Sequence, residues 1–170
     1  MSSRTVESER RPGYAGGAFD QTRTFGRPDT VVGRSQDGLL LIGRVLLGGI
    51  FVQSGFAKLM ALGAFAASLE KAGVPAPSVL AVIGACVEFF GGLAVVLGLA
   101  TRYAAGLMIL FVIAATLISH RYWEIHDAAR RAQEVNFFKN VAIIGGFTLL
   151  LANGAGRFAL DRLWRRSETG

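Results

Sequence analysis

The chain has almost no cysteine. A single one, Cys86, occurs in 170 residues, inside an apolar run. That excludes an intramolecular disulfide and a Cys-x-x-Cys redox pair, so any thiol chemistry must come from a partner. Cys86 itself reads as a small buried hydrophobe. Charge is nearly missing from four long stretches, which excludes an ordinary soluble domain, because such a domain needs polar helix faces to cover its outside. The first thirty-odd residues lack the apolar core of a cleavable secretory signal, and Arg10-Arg11 is followed by no apolar run close enough for a twin-arginine signal. There is no phosphate-cradling glycine loop, nucleophile elbow or zinc-protease histidine pair. His120, Glu124 and His126 lie near one another but supply no third clear ligand, so no metal site is expected.

What is present is apolar. Hydrophobic residues make up 52% of the chain, even though residues 1–36 are a polar mixture of Ser, Arg, Gly, Asp and Thr without helical or strand period. That opening stretch cannot bury enough apolar surface to offset ordering entropy, and reads as a disordered cytoplasmic tail. The domain at 37–162 holds four expected spans: 38–59, 79–99, 103–120 and 137–153. About twenty helical residues at ~1.5 Å each cross a hydrocarbon core of ~30 Å. Backbone groups find no water there, so the spans must be helices, and continuous apolar runs do not suit alternating barrel strands. The expected fold class is therefore all-α, an integral membrane four-helix bundle. Residues 62–72 read as a half-buried interfacial helix stopped by Gly73-Val74-Pro75. Thr101-Arg102 reads as a tight turn, 121–136 as a loop or short surface helix, and 163–170 as a basic C-terminal tail.

The net charge is +6. Its arginines flank the apolar runs instead of forming a basic helix or aromatic platform, which argues for a bilayer and against nucleic acid. Arg23, Arg27, Arg34, Arg102, Arg157, Arg162, Arg165 and Arg166 fall on one expected side. Lys71, Arg121, Arg130 and Arg131 fall on the other, with Lys58 and Lys139 at its boundary. The excess places both termini in the cytoplasm.

Ionisable residues inside apolar spans are the informative positions, because each costs ~2.5–3.5 kcal/mol at mid-membrane. Glu88 is the clearest. Gly84, Gly91 and Gly92 share its helix face and let another helix approach closely. In the first span, Arg44, Gly48, Phe51, Gly55 and Lys58 form one stripe, with Ser54 beside Lys58. Arg44 is the expected partner of Glu88 in a buried pair that fixes helix packing. The competing reading is a proton or ligand site built on that carboxylate. Lys58, His120, Lys139 and Asn140 are expected at the outer ends of three helices, either as interfacial anchors or as a pocket with Glu88 for its floor. Such a pocket would attract an anion or hydrogen-bond a quinone-like head group. The sequence assigns no catalytic residue.

The segments GRVLLGGIFVQSGFAKL at 43–59, GVP at 73–75, VEFFGGLAVVLGLATR at 87–102, FFKN at 137–140 and GRFALD at 156–161 resemble the DoxX family. The resemblance covers about residues 38–162 and implies a four-helix inner-membrane protein. The matched polar positions are Arg44, Ser54, Lys58, Glu88 and Asn140. Relatives include the small subunit of an archaeal thiosulfate:quinone oxidoreductase and proteins linked to redox and sulfur stress. The absence of any cofactor motif, together with polar residues that could fix helix packing, makes a non-catalytic subunit or scaffold of a membrane redox or oxidative-stress complex the first expectation. Its partners would be a soluble oxidoreductase, other membrane subunits or further copies of the chain. A quinone-reactive subunit and a small transporter or channel are the alternatives. The arginine-rich opening tail lies outside the family pattern. Docking to anionic lipid or to a cytoplasmic partner, or mere solvated disorder, are the readings open for it.

Overall fold

The structure, a computed structural model, describes residues 29–161, with side chains from Ser35 onward. The expected disordered tail up to residue 28 and the basic tail at 163–170 lie outside them. Five α-helices follow in order: α1 Asp29–Met60, α2 Leu62–Lys71, α3 Pro77–Leu97, α4 Thr101–Ser119 and α5 Ala129–Asn153, with a single 3-10 turn, Tyr122–Glu124, before α5. Four are long and apolar enough to cross a membrane, and α2 is the short amphipathic helix expected between the first two spans.

Three boundaries differ from the sequence reading. Helix α1 begins at Asp29, well before Gly38, so part of the expected tail is helical. Helix α5 begins at Ala129, two turns before Phe137, because the polar run through Gln133 and Asn140 continues the same helix. The turn between the second and third spans falls at Gly98-Leu99-Ala100, and Thr101 already belongs to α4.

Helix α3 is the centre, packed against α1, α2 and α4, while α4 packs against α5. Glycines set the α1–α3 contact. A Cβ on Gly55 would stand 2.5 Å from the Phe89 backbone nitrogen, and one on Gly48 2.7 Å from the Gly92 carbonyl. The two backbones thus touch directly, which only small residues permit. The core beside this seam joins Phe51, Val95, Ala105, Met108, Val112 and Phe147. Phe51 and Phe147 bring α1 to α5 with ring centroids 5.5 Å apart.

The outside of the bundle is apolar. Leu46, Ile50, Ile83, Phe90, Leu110, Leu117, Phe138 and Leu149 are all largely exposed. Apolar patches of that extent mark a surface solvated by acyl chains. Tyr122, Trp123, Phe137 and Phe138 cluster where the 3-10 turn meets α5, as an interfacial aromatic belt does.

At the end of the bundle carrying the α3–α4 turn, residues 154–161 fold back over that turn after α5. Asp161 Oδ1 accepts from the Ala100 N–H at 2.6 Å and Oδ2 from the Thr101 N–H at 3.2 Å. The Asp161 N–H in turn donates to the Gly98 carbonyl at 3.2 Å. Asp161 thereby caps α4 across the chain, satisfying donors that no helical carbonyl reaches. It also holds Ala100, whose φ of 43° is left-handed and costly for an alanine. Asp161→Ala is expected to lower stability by about 1–2 kcal/mol, the usual loss on removing a cap, read as a lower midpoint of thermal unfolding in detergent.

Candidate functional site: a buried ion pair beneath a polar cavity

The α1–α3 register decides which charges meet. Gly48 faces Val96 and Gly55 faces Phe89, so the helices run antiparallel in step. Carried along α1, that register sets Arg44 opposite the α3–α4 turn and Glu88 opposite the residue after Gly55. Arg44 and Glu88 are therefore about twelve residues apart along the bundle, roughly 18 Å, beyond the span of any side chain. The expected Arg44–Glu88 pair does not form. Arg44, 1% exposed, donates from Nη2 to the Phe158 carbonyl in the folded-back C-terminal segment.

Glu88 pairs with Lys58 instead. Nζ and Oε2 are 2.5 Å apart, with the carboxylate side chain 4% exposed and the lysine side chain 32%. Helix geometry explains the match: Lys58 stands one turn beyond Gly55, where the backbones are closest, and its stem reaches back to α3. Phe65 of α2 lies beneath the ammonium, its ring centroid 5.0 Å from Nζ, adding a cation–π contact.

Above the pair is a cavity of about 200 Å³. Ser54, Lys58, Glu88, Ser119, His120, Lys139 and Asn140 supply its polar wall, and Phe51, Phe111, Val112 and Ile143 its apolar one. The structure thus brings together every residue of the expected outer cluster and leaves Arg44 outside it. Of the expected packing glycines, Gly48, Gly55 and Gly92 form the α1–α3 seam. Gly91 faces Met108 of α4, and Gly84 faces Phe65 and Phe111 in looser contact.

Hydrogen bonds fix several wall residues. Asn140 Nδ2 donates to Thr116 Oγ1 at 2.8 Å, and Thr116 Oγ1 donates to the Val112 carbonyl at 2.6 Å. His120 Nδ1 lies 2.7 Å from Gln133 Oε1. An amide oxygen can only accept, so Nδ1 is the donor and Nε2 remains to accept, or to donate once protonated. Lys139 Nζ donates to Asn136 Oδ1 at 2.9 Å.

Gln133 was not visible as a site residue in the sequence, where it sat in a polar loop. Its only signal is a seven-residue step to Asn140, which shares a face once α5 starts at Ala129. Asp161 was likewise missed, because a cap supplied from 61 residues away leaves no local pattern.

No group of three His, Cys, Asp or Glu side chains able to hold a metal occurs among the described residues. Chemically, the wall offers one carboxylate, two ammonium groups, an imidazole and an amide around a volume suited to a small polar group.

A central glycine-packed helix, four apolar spans and a buried ion pair define a small integral membrane bundle. The chain belongs to the DoxX family: its profile matches residues 39–121. The chain is 35% identical over 130 residues to inner membrane protein YphA of Escherichia coli K12, covering 76% of this chain and 93% of that protein. To inner membrane protein YqjF of the same organism it is 31% identical over 128 residues, 75% of this chain and 93% of the relative. An uncharacterized membrane protein of Mycobacterium tuberculosis, Rv3486, is 28% identical over 142 residues, 74% of this chain and 81% of its own length. No solved structure matches the chain.

Proposed function

We propose that this DoxX-family chain is the membrane subunit of a redox complex and receives a quinone-type head group in the cavity above Lys58 and Glu88. The observation that carries the reading is the half-buried Lys58–Glu88 pair, its carboxylate enclosed, opening onto a cavity shared with His120 and Asn140. A quinone presents two carbonyl acceptors on a flat apolar ring. Lys58 is a donor suited to one carbonyl and His120, in its imidazolium form, to the other, and Phe51 and Phe111 are walls suited to the ring. Glu88, the only carboxylate lining the cavity, has the chemistry to accept a proton from a bound quinol, with the Lys58 ammonium beside it as counter-ion until then.

The sequence carries no dinucleotide motif, so electrons would be exchanged with a partner. That partner would be a soluble oxidoreductase or another membrane subunit. The sequence's excess of Lys and Arg in the terminal segments and beside the second-to-third span turn supports an orientation with both termini in the cytoplasm and the cavity at the outer face.

The test is titration of a short-tailed ubiquinone analogue into the full chain in lipid nanodiscs, followed by quenching of intrinsic tryptophan fluorescence. Saturable binding is expected. His120→Ala and Asn140→Ala should each weaken it about tenfold, the equivalent of ~1.4 kcal/mol for a buried hydrogen bond to ligand. Absence of saturable binding to the unaltered chain would overturn the reading.

A further inference from the structure

A second cavity lies on the opposite half of the molecule, along the seam between α1 and α5. The two helices meet where Phe51 packs on Phe147 and Leu47 approaches Gly146. Beyond that contact they leave a groove of about 570 Å³. Leu39, Leu46, Ile50, Leu149 and Leu150 make its walls apolar, and Gln36 and Asn153 give it a polar end beside the α3–α4 turn. Gly43 contributes to its floor, and a Cβ there would meet nothing within 4 Å. The groove is therefore open volume, wide enough for a flexible chain.

The polar end is positively charged. Arg44, whose stem lines the groove, is almost wholly buried, and its Nε and Nη1 have no acceptor. Arg102 Nη2 reaches the Ala152 carbonyl at 3.3 Å, next to Asn153, and Arg157 projects with 66% of its side chain exposed. Two carboxylates stand among these cations, both engaged by backbone N–H groups, and Asp37 Oδ2 also lies 3.8 Å from Arg157 Nε. Asp37 accepts from Arg157 N at 2.8 Å, and Asp161 caps α4. Three guanidiniums, Arg44, Arg102 and Arg157, against the two carboxylates leave this end net positive, and a charge in a low-dielectric setting projects its field further than one in water.

We infer that the α1–α5 groove holds an acyl chain of an anionic phospholipid, whose head group sits at Gln36 and Asn153 under the field of Arg44, Arg102 and Arg157. Apolar walls at membrane depth select a hydrocarbon chain, and the cationic end selects a phosphodiester without a compensating ammonium. A second copy of this chain would place its own outward leucines in the groove but would bring the same cations face to face. The inference is independent of the Lys58–Glu88 cavity.

The test reconstitutes the full chain in nanodiscs of equal phosphatidylglycerol and phosphatidylcholine. Lipids that survive extraction are then counted by native mass spectrometry. Phosphatidylglycerol is expected to remain bound in preference to phosphatidylcholine. Gly43→Phe, which fills open space, should abolish retention of both. Arg157→Gln, an exposed change, should cut the preference about fivefold while leaving the lipid bound, as expected for one surface cation. Equal retention of the two lipids by the unaltered chain would overturn the inference. So would an unchanged preference in Arg157→Gln, or a chain–chain dimer that Gly43→Phe disrupts.

Discussion

Lys58→Met is expected to destabilise the bundle far more than Glu88→Gln, although the two residues share one ion pair. The reason is where each partner is left. With Lys58 gone, the Glu88 carboxylate remains at 4% exposure in the middle of α3, charged and without its partner. Leaving one member of a buried pair uncompensated costs about 3–5 kcal/mol. With Glu88 made neutral, Lys58 is already 32% exposed, and its four-carbon stem lets the ammonium turn toward the rim of the cavity. That loss should be about 1–2 kcal/mol, the scale of a partly exposed hydrogen bond to a charged group. The double variant, with Met at 58 and Gln at 88, should recover most of what Lys58→Met alone loses, because no buried charge remains. Thermal unfolding of the four proteins in one detergent supplies the cycle. Equal losses from the two single changes would show that the carboxylate is solvated and that the cavity is wetter than its lining indicates.

The same pair shows how far the sequence could be read. That Glu88 turns into the protein was legible, since an ionisable group at mid-span beside glycines has little alternative. That Lys58, His120, Lys139 and Asn140 stand around it was also legible, because four spans in alternating directions gather alternate helix ends. Its partner was not legible. The expectation paired Glu88 with Arg44, the other charge buried in a neighbouring span, whereas the register is set by where Gly48 and Gly55 let two backbones touch. Register is a property of the contact between helices, and span boundaries carry no record of it. A shift of one heptad along α1 would be silent in the hydropathy pattern yet would exchange the partner of every buried charge. The docking of Asp161 on α4 was hidden for a related reason. Its capping geometry spans some sixty residues of chain, and local sequence patterns reach only about one helical turn. The boundary of α5 was obscured by its polar opening, where Gln133 looked like a loop residue but stands on the helix and meets His120.

Glycine substitutions along α1 should divide sharply, and the division tests the register directly. Gly55→Ala puts a methyl group 2.5 Å from the Phe89 nitrogen and 2.8 Å from its Cα, and Gly48→Ala puts one 2.7 Å from the Gly92 carbonyl. Backbone atoms cannot swing aside as a side-chain tip can, so α1 must move away from α3 as a body. Overpacking of this kind costs roughly 1–3 kcal/mol per site. Separation at Gly55 also draws Lys58 off Glu88, so Gly55→Ala should exceed Gly48→Ala and add part of the ion-pair loss. Gly49 lies between them in the same helix, and a Cβ there meets nothing within 4 Å. Gly49→Ala should stabilise by about 0.5–1 kcal/mol, since alanine loses less backbone entropy than glycine on entering a helix. Unfolding midpoints of the three single variants decide the matter. If Gly55→Ala proved as benign as Gly49→Ala, α1 and α3 would not meet through their backbones. The juxtaposition of Lys58 with Glu88, which depends on that contact, would then lose its structural cause.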